Sequence, residues 1–127
     1  MLTEIGTDLG RIKIAKDVVA MVAGNAATEC YGLVGMASRS VQDGIAELLG
    51  RESLSRGVVI DSSGDSLEIE LYIIVEYGVN IPEVARNVVE KVRYTMETML
   101  GLKVGRININ VQGVRVATAQ QYKSTER

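Results

Sequence analysis

A change of hydrophobic period divides the second half of the chain. Over residues 67–77, Leu67, Ile69, Leu71, Ile73, Val75 and Tyr77 take one parity, and Glu68, Glu70, Tyr72, Ile74 and Glu76 take the other. A period of two is that of a strand covered on one face, because successive side chains point to opposite sides. From residue 81 the period lengthens. Ile81, Val84, Ala85, Val88, Val89, Val92, Met96, Met99 and Leu100 form a stripe at helical spacing, which makes Met96 and Met99 core-filling residues. Asn80 stands at the cap, Pro82 in the first turn and Glu83 at the capping-box position, and Gly101 ends the helix. Alternation returns over 103–116, with Ile107, Ile109 and Val111 inward and Arg106, Asn108, Asn110 and Gln112 outward. After Gly113 the parity shifts to Val114 and Val116, which marks a bulge.

The first half is less regular. Residues 9–14, LGRIKI, read as a half-buried strand with Ile12 and Ile14 inward and Arg11 and Lys13 outward. Apolar positions then thicken from Ala15 to Glu29 into a largely buried helix. Gly24 within it is a poor helix former, and the small residues around it point to close packing. Residues 31–37 read as a short apolar connection. Ser40 can cap a small helix carrying Val41, Ile45, Leu48 and Leu49 on one face, with Gly50 as its stop. A strand near 57–61, the turn SSGDS and the strand 67–77 complete a hairpin. The order β-α-(α)-β-β-α-β predicts an α+β fold, with helices packed on one face of a mainly antiparallel sheet. One domain covers 1–117, and a polar, mobile tail covers 118–127.

Composition narrows the chemistry. A chain of 127 residues suits one domain, and with no Phe and no Trp its core is aliphatic. A formal net charge of −2 provides no basic field for a polyphosphate. With no His and one Cys, a Cys–His or Ser–His nucleophile and the common zinc sites are excluded. The start, MLTEIGTDLG, lacks a secretory signal's layout, and the apolar runs 18–23 and 71–75 are too short to span a bilayer. A cytoplasmic location is expected.

Three stretches, RIKIAKDVVAMVAGNAATECYGLVGMA (11–37), SRGVVID (55–61) and the block 76–116, resemble the alkaline shock protein, or envelope stress response, family of Gram-positive bacteria. The likeness runs from Gly10 to Ala117, and its hallmarks are AGNAA, the YG before the last helix, EVARNVVEKV and VGRININVQGV. The resemblance implies a small non-enzymatic adaptor or scaffold serving envelope stress or lipid homeostasis. It implies protein partners, among them a membrane-anchored relative or a second copy, with membrane contact made through a partner rather than by insertion. It carries over no catalytic, cofactor-binding or metal-binding residue.

The remaining candidates read more simply as structure. Cys30 ends an apolar helix and fits a buried structural thiol. Glu68, Glu70 and Glu76 could act as paired carboxylates, and a solvated sheet face explains them equally well. DSSGD (61–65) lacks the ligand spacing of a calcium loop and suits a hairpin turn. Gly32-Leu33-Val34-Gly35 has the GxxG shape of KH nucleic-acid-binding modules, the alternative function, but apolar middle residues and surroundings that are not basic weigh against it. The best interaction candidate is the outward sheet face. It comprises Arg11, Lys13, Glu68, Glu70, Tyr72, Ile74, Glu76, Arg106, Asn108 and Asn110, with Tyr72 and Ile74 expected to be exposed.

Overall fold

The computed structural model describes residues 2–38 and 51–116. Along them run β1 (Leu2–Thr7), β2 (Gly10–Ala15), α1 (Lys16–Thr28), β3 (Leu33–Met36), a 3-10 turn (Arg51–Gly57), β4 (Val58–Asp61), β5 (Leu67–Glu76), α2 (Ile81–Thr95), a π turn (Met96–Leu100) and β6 (Val104–Arg115). The architecture is α+β, as the periodicity predicts. The small helix expected over 41–49 and the tail over 118–127 lie outside the described residues.

β5 is the centre of the main sheet. On one edge it pairs antiparallel with β4 through Leu71 to Glu68, and then with β3 through Val75 to Ile73. On the other edge β6 runs parallel to it. A parallel neighbour needs a long crossover, and α2 supplies it. Periodicity does not reveal that direction, nor that Leu33–Met36 forms a strand rather than a connection, because both depend on pairing with a distant segment. β1 is a further unexpected strand. It pairs with β2 in a separate two-stranded ribbon, which packs on the core through the half-buried Ile5 and Ile14.

The inward side chains of β5 (Leu67, Ile69, Leu71, Ile73 and Val75) are all buried beneath α1 and α2. Each such aliphatic contributes roughly 1.5–3 kcal/mol on removal from water. α1 has no side-chain cap at Ala15, so packing rather than capping holds it in place. Its small residues let it come close. A Cβ at Gly24 would lie 3.3 Å from both Leu54 Cβ and the Leu54 carbonyl oxygen, which bears out close packing there.

α2 begins as the sequence predicts, with Asn80 Oδ1 accepting the Glu83 N–H at 3.0 Å. Its stripe departs from expectation at the far end. Met96 is fully buried, yet Met99 is 67% exposed. The cause is the π turn over Met96–Leu100, whose wider repeat rotates Met99 off the apolar face. Gly101, with φ of 70°, then closes the element in the left-handed conformation.

Candidate interaction face

The outward face is assembled by register. Glu70 of β5 sits beside Asn108 of β6, and Tyr72 beside Asn110. The two amides converge on one carboxylate: Asn108 Nδ2 donates to Glu70 Oε2 at 2.7 Å and Asn110 Nδ2 to Oε1 at 2.8 Å. Asn110 Nδ2 also lies 3.3 Å from the Leu71 carbonyl oxygen. Hydrogen bonds from Asn110 and then Asn108 hold the Glu70 carboxyl below its ordinary pKa. Glu70 is therefore an ionised, oriented acceptor and a poor general acid. Tyr72 is half-buried beside it, Glu68 and Arg106 are exposed, and Glu76 is half-buried in register with Arg115.

Three expected members do not belong to an exposed face of this kind. Arg11 and Lys13 lie on the separate β1–β2 ribbon, where Lys13 Nζ is 3.9 Å from Glu4 Oε2. Local alternation marked them as outward but could not say which sheet they belonged to. Ile74 has the outward parity, yet it is fully buried. Its register neighbours are Gly35 on β3 and Gly113 on β6, each next to a break in register. Gln112 Nε2 of β6 comes within 3.5 Å of the Ser38 carbonyl oxygen beyond β3, so that side chain crosses β5 near Ile74. The irregular strands thus close over a residue that regular alternation would expose.

Two residues that the sequence reading missed extend the face. Val59 pairs with Glu70 and Asp61 with Glu68, placing both on the outward side of β4. The hairpin register was the signal that could have found them. With Arg11 and Lys13 removed, the face carries Asp61, Glu68, Glu70 and Glu76 against Arg106 and Arg115, so it is acidic rather than balanced. Asp61 also organises the turn that follows. Its Oδ1 accepts from Ser63 N–H at 3.0 Å and Ser63 Oγ at 2.8 Å, and these bonds lower its pKa. DSSGD is therefore a hairpin turn, as expected.

The other candidates take structural places. Cys30 is half-buried, with Sγ 3.8 Å from the Asn87 carbonyl oxygen, and burial pushes its thiol pKa up. In the GxxG segment, Gly32 accepts the Glu76 N–H at 2.9 Å, and Leu33, Gly35 and Met36 pair with β5. Its backbone is engaged in the sheet. Among the described residues, no helix is long and apolar enough to cross a membrane.

An α+β domain with a polar outer sheet face, its described helices α1 and α2 on the other side, is what the geometry defines. The model of the alkaline shock protein 23 family, described as having a cell envelope-related function, matches residues 4–116, and the chain belongs to that family. It is 51% identical over 117 residues to the uncharacterized protein YloU of Bacillus subtilis (strain 168), covering 91% of this chain and 98% of that one. It is 39% identical over 117 residues to the uncharacterized protein Spy1614 of Streptococcus pyogenes serotype M6, covering 91% and 97%. A second Bacillus subtilis protein, the uncharacterized YqhY, is 36% identical over 115 residues, covering 91% and 84%. No solved structure matches the chain significantly.

Proposed function

We propose that the chain is a non-enzymatic adaptor or scaffold in the cell-envelope stress response or lipid homeostasis, docking a protein partner on its outward sheet face. The observation that carries this reading is the Glu70 carboxylate held between Asn108 and Asn110. A charged acceptor fixed on two strands offers a preorganised contact without the entropy cost of ordering a loop. Tyr72 beside it supplies an aromatic of the kind enriched at interfaces. The acidic balance favours a partner presenting basic and amide groups, and it disfavours a polyphosphate. The engaged backbone of residues 32–35 likewise gives the nucleic-acid alternative no support.

In this account the protein acts in the cytoplasm and reaches the membrane through its partner, which the family resemblance suggests is a membrane-anchored relative. The non-enzymatic part of the proposal draws support from the raised Cys30 thiol and the ionised Glu70, neither suited to nucleophilic or general-acid work at neutral pH. The test is capture of envelope proteins from detergent-solubilised cells by the wild type and by the Glu70→Lys/Tyr72→Ala variant. The variant should fold and lose the partner. Undiminished capture by the folded variant would rule this face out.

A further inference from the structure

The outer edge of β6 carries backbone groups that no other described strand pairs. In β5, Glu76 N–H reaches the Gly32 carbonyl and the Tyr72 carbonyl accepts from Ala37, so even-numbered residues turn their backbone groups toward β3. Leu67 N–H reaches Lys103 and Tyr77 N–H reaches Arg115, so odd-numbered residues turn toward β6. In the parallel register from Ile69↔Ile107 to Ile73↔Val111, these odd residues bond to even-numbered residues of β6. The N–H and C=O groups of Ile107, Ile109 and Val111 therefore face outward. Among the described residues, no strand pairs with them.

This free stretch has defined ends. Upstream, Arg93 caps the strand, with Nη1 2.7 Å from the Val104 carbonyl oxygen and Nη2 2.8 Å from that of Gly105. Downstream, the ladder breaks between Val111 and Gly113. Ile109 lies midway between Gly105 and Gly113.

We propose that a second copy of the chain docks here, β6 pairing antiparallel with its own counterpart about a two-fold axis at Ile109. The stretch is complementary to itself. The axis sets Ile109 opposite Ile109 and Ile107 opposite Val111, matching outward groups with outward groups in about six backbone hydrogen bonds. The capped end meets the bulged end, glycine opposite glycine. Val111, 37% exposed, comes to lie against Ile107 of the second copy. On the polar face, Asn108 falls opposite Asn110 of the second copy. Asn108 retains a further N–H beyond its bond to Glu70, the Asn110 Oδ1 can accept it, and Arg106 faces the neutral Gln112, so like charges are not opposed. An isologous pair of this kind closes on itself and removes the open edge, whereas an unrelated peptide would have no need of the symmetry.

The test is a sedimentation-velocity concentration series on the full chain. The wild type should approach the mass of two chains. Val111→Lys, an edge-strand guard at an exposed position, should shift it to one chain with an unchanged circular dichroism spectrum. N108K/N110K should do the same by opposing lysines across the axis, and N108K/N110E should restore the dimer by opposing lysine to glutamate. A wild type of single-chain mass at every concentration overturns the proposal. So does a dimer that survives both disruptive variants, or failure of the lysine–glutamate pair to restore it.

Discussion

Asn110 on β6 donates to Glu70 on β5 across a 2.8 Å contact, tying two parallel strands together on the outer face of the sheet. Asn108 takes the other carboxylate oxygen, so one side chain on β5 fixes two on β6. The arrangement makes the face a stable feature rather than a loose array of solvated charges.

A pH signature follows from it. The folded-state pKa of Glu70 is depressed, so its stabilising contribution is present above the unfolded glutamate pKa and is lost as pH falls through the folded value. Glu70→Gln should lower the thermal midpoint at neutral pH, reflecting a loss of up to about 1 kcal/mol at this partly solvated site. The gap between variant and wild type should narrow as the solution is acidified below the ordinary glutamate range. Thermal melts at several pH values would show whether it does.

Ile74 and Tyr72 share a parity but should respond differently to truncation. Ile74 is fully buried between Gly35 and Gly113, and Ile74→Ala should cost about 2–4 kcal/mol. Tyr72→Ala, at a half-buried position, should cost markedly less. Urea unfolding of the two variants measures the contrast directly.

Arg93 on α2 precedes the two carbonyls it bridges by 11 and 12 residues, and its role is geometric. A planar guanidinium can bridge the Val104 and Gly105 carbonyls, and a lysine ammonium cannot reproduce both bonds. Arg93→Lys should destabilise by about 1–2 kcal/mol, and Arg93→Ala by a similar or larger amount. Faster amide exchange at the start of β6 in both variants would locate the effect.

Gly32 is held for packing. Its φ is +88°, and an added Cβ would lie 2.7 Å from Val84 Cγ2. Gly32→Ala should therefore destabilise by about 1–3 kcal/mol. Gly78→Ala, with φ of +96° but open space around it, should carry only the backbone part of that penalty. Chemical denaturation of the two alanine variants separates steric clash from backbone strain.

Elements defined by local rules were legible in the sequence. The Asn80 cap, the Gly101 stop, the hairpin of β4 and β5, the bulge at Gly113 and the shared face of Glu70, Asn108 and Asn110 all follow from period and turn chemistry. Features set by distant partners were not. Leu33–Met36 becomes a strand because β5 lies alongside, and β6 runs parallel because α2 carries the chain back across the layer. Arg93 stands four residues before Glu97, the spacing of a helical ion pair, yet its guanidinium goes to two carbonyls of β6. Alternation placed Ile74 outward, and two register breaks buried it. Parity is read along one strand, whereas burial depends on the strands beside it.

The central claim is that this domain works through a protein partner on its outer face. The most direct measurement is affinity capture from detergent-solubilised cells of the source organism, with mass-spectrometric recoveries compared before and after nuclease treatment. The account predicts nuclease-resistant recovery of a membrane-anchored or lipid-metabolism protein, lost with Glu70→Lys/Tyr72→Ala. Recovery dominated by ribosomal or RNA-associated proteins that disappear on nuclease treatment would contradict it.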